Sequence, residues 1–193
     1  MKSAEWKKTV RPLLPQGTWA FRGRLCYRQP VDWVLAGVLG EGSGFHTGVY
    51  VWQVWMPLFI PSDVVTLSFS ARVGGGTRFY DMDETAAMQN AISAALASAL
   101  ESQPVLVIAS KSATRNPRLF EARAYARVLL GDLDAAMADL AVAKASRSQD
   151  VADRATLIRG LLDNDDTAEA VRQLARWRDE TCAALGIEHD SQG

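Results

Sequence analysis

Residues 49–55 read Val-Tyr-Val-Trp-Gln-Val-Trp. Successive side chains of a strand point to opposite faces. Val49, Val51 and Trp55 therefore share one face, and Tyr50, Trp52 and Val54 the other. A strand at about 45–55 that is apolar on both faces needs cover on both sides. That requirement makes a sheet the inner layer of the fold and the rest of the chain its cover.

The flanking sequence supplies the other strands. Residues 18–28 alternate, with Trp19, Phe21, Leu25 and Tyr27 on one side and Arg22, Arg24 and Arg28 on the other, so the period predicts a single strand. A second strand is expected at 31–39, after Gln29-Pro30. The run Gly40-Glu41-Gly42-Ser43-Gly44 reads as a turn. A fourth strand is expected over 64–73, where Val65, Leu67, Phe69, Ala71 and Val73 alternate with polar residues. Short connections favour an antiparallel meander. Before the sheet, Trp6, Val10, Leu13 and Leu14 recur at helical spacing over residues 3–14, with Ser3 as N-cap.

The character of the chain changes near residue 80. Of 16 aromatic residues, 13 precede it, while 25 of 29 alanines follow it. The first 80 residues carry nine Lys/Arg against four Asp/Glu, and the remainder 12 against 18. Asp81 and Glu84 fit a capping box opening a helix that runs to about 102. Residues 105–109 are open to a strand or a short buried helix. Helices follow at about 117–130, 134–145, 151–162 and 167–185, with Gly186 as the stop.

The expected fold is therefore α+β: an N-terminal helix, a four-stranded, mostly antiparallel sheet, then an all-helical C-terminal half of repeat-like hairpins. We expect a sheet domain at 1–115, a helical extension packed on it at 116–187, and a flexible tail at 188–193.

Bulk composition narrows the function classes. The net charge of −1 gives no global pull toward nucleic acid or anionic membrane. The apolar runs 55–61 and 104–109 are far below the roughly 18 residues of a membrane helix. Cys26 and Cys182 lack disulfide or zinc spacing, so a reducing cytoplasm is the expected location, with no metal and no cofactor.

Candidate binding residues are Arg22, Arg24 and Arg28 as a positive strip, Arg72 joining them across the sheet, Trp52 as part of an aromatic platform, and His46 near a hairpin end. A Cys26–His46 dyad has no third orienting group, so no catalytic residue is assigned. Gly40–Gly44 lacks the Lys-Ser/Thr of a phosphate loop. Asp163–Asp166 lacks the central glycine and closing glutamate of a calcium loop.

Residues 120–144 and 154–178 align at an offset of 34, with Asp132/Asp166, Ala136/Ala170, Leu140/Leu174 and Ala141/Ala175 identical. The offset matches the tetratricopeptide period. Arg123 and Arg127 stand where that repeat is apolar, and Trp177 where it is small. The hairpins either cover the sheet or form a peptide groove.

The motifs Trp6-Lys7-Lys8, Phe21-Arg22-Gly23, Cys26-Tyr27-Arg28, Gly48-Val49 and Met56-Pro57-Leu58-Phe59-Ile60-Pro61, in that order, resemble an uncharacterised bacterial family, number 4304 among the domains of unknown function. The resemblance covers about residues 3–110. It implies an α+β domain with a curved antiparallel sheet and brings no catalytic residues. Small bacterial domains of this sort often resemble immunity proteins, which neutralise toxins by binding them.

The expected function is thus non-catalytic protein binding, toward a partner with an acidic surface, without membrane or nucleic acid. The alternative is a small-ligand domain or enzyme using the sheet concavity.

Overall fold

The computed structural model describes residues 1–42, 48–73, 85–101, 103–112 and 116–188. His46, residues 43–44 of the glycine-rich turn, the Asp81–Glu84 cap and the tail from 189 lie outside them. The fold is α+β, with an N-terminal helix, an antiparallel sheet and a helical C-terminal half. The chain forms two compact units. One holds residues 1–56, 70–102 and 189–193; the other holds 57–69 and 103–188.

In the first unit, α1 (Ser3–Val10) continues as a 3-10 turn at Arg11–Leu13, where Pro12 cannot extend an α-helix. Lys2 rather than Ser3 is the N-cap, and its N–H donates to the Glu5 carboxylate at 2.7 Å. The freed Ser3 hydroxyl donates to the Gly23 carbonyl.

The sheet has five strands, not four, in the order β1 (Thr18–Arg22), β2 (Leu25–Gln29), β3 (Val34–Gly42), β4 (Val49–Pro57) and β5 (Ala71–Arg72). The extra strand arises because the expected strand at 18–28 is a hairpin. Gly23 has φ 59, and the Gly23-Arg24 pair turns the chain so that Arg22 opposes Leu25. Positive φ at the first central residue alone marks a type II′ turn, whose twist suits the flanking strands. The turn exchanges parity: Phe21 now opposes Cys26, and Trp19 opposes Arg28.

The expected strand at 64–73 is also corrected. Only its last residues join the sheet: Ala71 and Arg72 oppose Gln53 and Trp52 of β4, and Val73 N–H donates to the Val51 carbonyl at 2.9 Å. Residues 57–69 fold with the helices of the second unit instead. Alternation marks a segment able to be a strand; it does not supply the partner.

The core of the first unit lies between α1, the sheet and α2 (Thr85–Glu101). Trp6, Val10, Cys26, Val38, Val49, Val51, Ile92 and Leu96 form one buried cluster. Gly40 lies flat against the Trp6 ring, so close that a Cβ there would stand 2.6 Å from it. Tyr27, Leu35, Val54 and Met56, on the other parity, are buried as well. Both faces of β4 are thus buried at Val54–Met56, while Tyr50 and Trp52 remain half-exposed.

In the second unit, residues 104–109 are a short helix, α3 (Pro104–Ala109). Then come α4 (Pro117–Leu130), α5 (Leu133–Lys144), α6 (Gln149–Asp163) and α7 (Thr167–Leu185). Asn116 caps α4 by accepting from Arg118 N–H at 3.1 Å, with Pro117 as the first helical residue. Gly131 and Gly186 end α4 and α7 in the left-handed conformation that glycine adopts without strain. Tyr125 centres this unit's core, edge-on to Phe59 and tilted against Trp177, with ring centroids 6.3 and 5.7 Å away. Thr181 donates to the Ile60 carbonyl and ties down the 57–69 segment.

Candidate binding surface

Strand pairing brings two of the sequence-selected residues together. Arg72 opposes Trp52 across β4 and β5, so both side chains lie on one face. Tyr50, two residues from Trp52, shares that face. The Arg72 guanidinium sits over both rings, 4.1 Å from the Tyr50 centroid and 4.7 Å from that of Trp52. Trp52 Nε1–H donates to Glu41 Oε2 at 2.7 Å, which fixes the indole plane. The same carboxylate oxygen is 3.8 Å from Arg72, a loose ion pair between side chains 42% and 40% exposed.

Each part has a physical role. Glu41 orients the indole, the two rings hold the guanidinium by cation–π attraction worth about 0.5–1 kcal/mol at an exposed site, and among the described residues the loose ion pair with Glu41 is the guanidinium's only charged contact. An arginine immobilised in advance loses little side-chain entropy on binding.

The other selected residues lie elsewhere. Arg22 is exposed at the end of β1, on the opposite edge of the five-stranded sheet from Arg72. Four strand spacings separate those edges, about 19 Å. Arg24 stands in the hairpin turn, its guanidinium against Gly42. Arg28 opposes Trp19 and so lies on the face opposite to Arg22; its Nη1–H donates to the Leu100 carbonyl in the last turn of α2. The expected strip of Arg22, Arg24 and Arg28 is therefore broken by the hairpin, and Arg72 does not join it. His46 lies outside the described residues. Cys26 is buried, and burial pushes its thiol up to about 12. That is the reverse of what a nucleophile needs.

Two polar clusters in the helical unit were not foreseen. Arg123 and Arg127, one turn apart on α4, both reach Asp139 of α5. Arg123 Nε and Arg127 Nη1 each donate to Oδ2 at 2.7 Å, and Arg123 Nη2 donates to Oδ1. This clasp gives Arg123 and Arg127 a structural role on α4. The second cluster is Glu121, fully buried on α4, which accepts from Arg154 Nε and Nη2 of α6 at 2.6 and 3.1 Å and from the Tyr125 hydroxyl at 3.2 Å. Burial raises the Glu121 carboxyl above its usual range, opposed by the bonds from Arg154 and Tyr125. The signal available in sequence was an acidic residue on a helix face rich in alanine.

Among the described residues, no group of three His, Cys, Asp or Glu side chains is placed to hold a metal ion. No described helix is long and apolar enough to cross a membrane. No family model, curated protein or solved structure matches the chain.

Proposed function

We propose that this is a non-catalytic protein-binding or regulatory protein, of the kind that immunity proteins exemplify, acting in the bacterial cytoplasm on a partner with an acidic surface. The observation that carries the reading is Arg72, exposed and held over Tyr50 and Trp52, with only a loose contact to Glu41 among the described residues. Arginine and aromatic residues dominate the energetics of protein interfaces, and a guanidinium pairs a carboxylate in a two-pronged bond. Lys2, Lys8, Arg11 and Arg22 are also exposed in this unit, against the exposed acids Glu5 and Asp32. Their excess of positive charge would draw an acidic partner in and discourage a basic one.

The test is affinity capture from the native host with full-length protein at two ionic strengths. We expect a protein partner retained at low salt and released as salt rises past the range where surface charges are screened. Recovery of no partner at low salt would remove the proposal's main support.

A further inference from the structure

The helical unit holds a pocket of about 100 Å3, formed between the 57–69 segment, the first turn of α4 and the first two turns of α6. Its charged walls are Arg118, Asp150 and Arg154, its hydroxyls include Ser62 and Thr66, and its apolar wall includes Phe69. None of these belongs to the Tyr50–Trp52–Arg72 surface. A water molecule needs about 10–15 Å3 by this measure, so the space suits an organic molecule of modest size.

The chemistry of the walls is selective. Arg154 is already oriented: buried Glu121 binds its Nε and Nη2, and among the described residues its Nη1 makes no hydrogen bond. Arg118 is exposed, and its guanidinium makes no hydrogen bond or close ion pair among the described residues. The pocket therefore offers one unpaired cation, a second whose charge Glu121 offsets, and one carboxylate. A dianion would meet Asp150, with Glu121 behind. A monoanion could pair with Arg118 and present a donor to Asp150.

We propose that this pocket binds a small carboxylate that also carries a cationic or donor group and a short apolar body, of which a neutral α-amino acid is the simplest example. Its carboxylate pairs with Arg118 and the free edge of Arg154, its ammonium faces Asp150, and its apolar part packs on Phe69. This site is additional to the protein-binding surface and does not depend on it.

Backbone amide NMR titration of the full-length protein with L-leucine, isovalerate and inorganic phosphate tests the proposal. L-leucine should shift amides in 57–69 and around Arg118, Asp150 and Arg154, and should bind more tightly than isovalerate, which lacks the ammonium. Arg118→Ala should weaken L-leucine at least about tenfold, the loss expected of a charged hydrogen-bonding partner. Arg118→Lys should recover part of it. Asp150→Asn should erase the preference for L-leucine over isovalerate. Arg118 and Asp150 are exposed, so the variants should keep the wild-type circular dichroism. Phosphate binding more tightly than both carboxylates, an unchanged affinity in Arg118→Ala, or no shifts in the millimolar range would each overturn it.

Discussion

Gly37→Ala should unfold the sheet unit, and the size of the effect follows from its register. Gly37 opposes Tyr27. A Cβ at Gly37 would lie 2.1 Å from the Cys26 carbonyl oxygen and 2.7 Å from Tyr27 Cα. Both atoms are backbone, so no side-chain rotation relieves the clash. To reach even 3.0 Å, the shortest separation tolerated by real Cβ atoms, the strands must part by about 0.9 Å. That strains the pairing at Leu25–Leu39, Cys26–Val38 and Tyr27–Gly37. Three consecutive antiparallel pairs hold two or four backbone hydrogen bonds, so at about 1 kcal/mol net per bond the ladder loses about 2–4 kcal/mol. Displacing the buried Leu25, Cys26 and Tyr27 adds about 1–3 kcal/mol. The sum is comparable with the whole stability of many domains, about 5–15 kcal/mol.

Urea unfolding followed by tryptophan emission suits the test, because five of the six tryptophans lie at or before residue 55. Two further glycines calibrate it. Gly40→Ala meets the Trp6 ring first, a side chain rather than backbone, and as overpacking against a buried ring should cost about 1–3 kcal/mol. Gly131→Ala meets nothing within 4 Å but keeps φ at 77, so it should cost about 1–2 kcal/mol of strain. A Gly37→Ala protein no less stable than Gly131→Ala would refute the β2–β3 register.

Other outcomes follow from the buried polar groups. Asp139→Ala strands two arginines whose side chains are only 17% and 23% exposed. Breaking a buried pair costs about 3–5 kcal/mol; because both guanidinium groups can still reach water, about 2–3 kcal/mol is expected in thermal or urea unfolding, and a change below about 0.5 kcal/mol would contradict the clasp. Burial raises the Cys26 thiol to about 12 and the Cys182 thiol to about 11. Native protein should therefore resist iodoacetamide at pH 9 and react once unfolded; rapid native labelling at either site would contradict their burial. With folded values above unfolded ones, the stabilising contribution of these thiols is full below pH 9 and is lost as pH rises through the folded values, so stability should fall in alkali.

The helical half was the more legible part of the sequence. Asn116-Pro117 and Gly186 are local signals that act within one turn, and α4 and α7 start and stop where they stand. The sheet was read less well because its errors are non-local. Alternation runs through Arg22-Gly23-Arg24-Leu25 without a visible break, yet a two-residue turn reverses the chain and moves Leu25 and Tyr27 to the face opposite Trp19 and Phe21. The 64–73 segment alternates equally well, but Phe59, Tyr125 and Thr181 belong to the packing that holds the 57–69 stretch out of the sheet. For the candidate surface, Trp52 and Arg72 were visible as residue types, but their pairing and the anchoring role of Glu41 depend on register. The pocket was invisible for the same reason: Arg118, Asp150 and Arg154 meet the 57–69 segment from 49 or more positions further along the chain.

We propose that the Tyr50–Trp52–Arg72 surface binds another protein. The most direct measurement is quantitative affinity capture from the native host, run in parallel with wild type and Arg72→Glu. Arg72 is 42% exposed, so reversing its charge should leave the fold intact by circular dichroism. A partner should be enriched by wild type at low salt and lost with Arg72→Glu. The same partner captured equally by both proteins would contradict it.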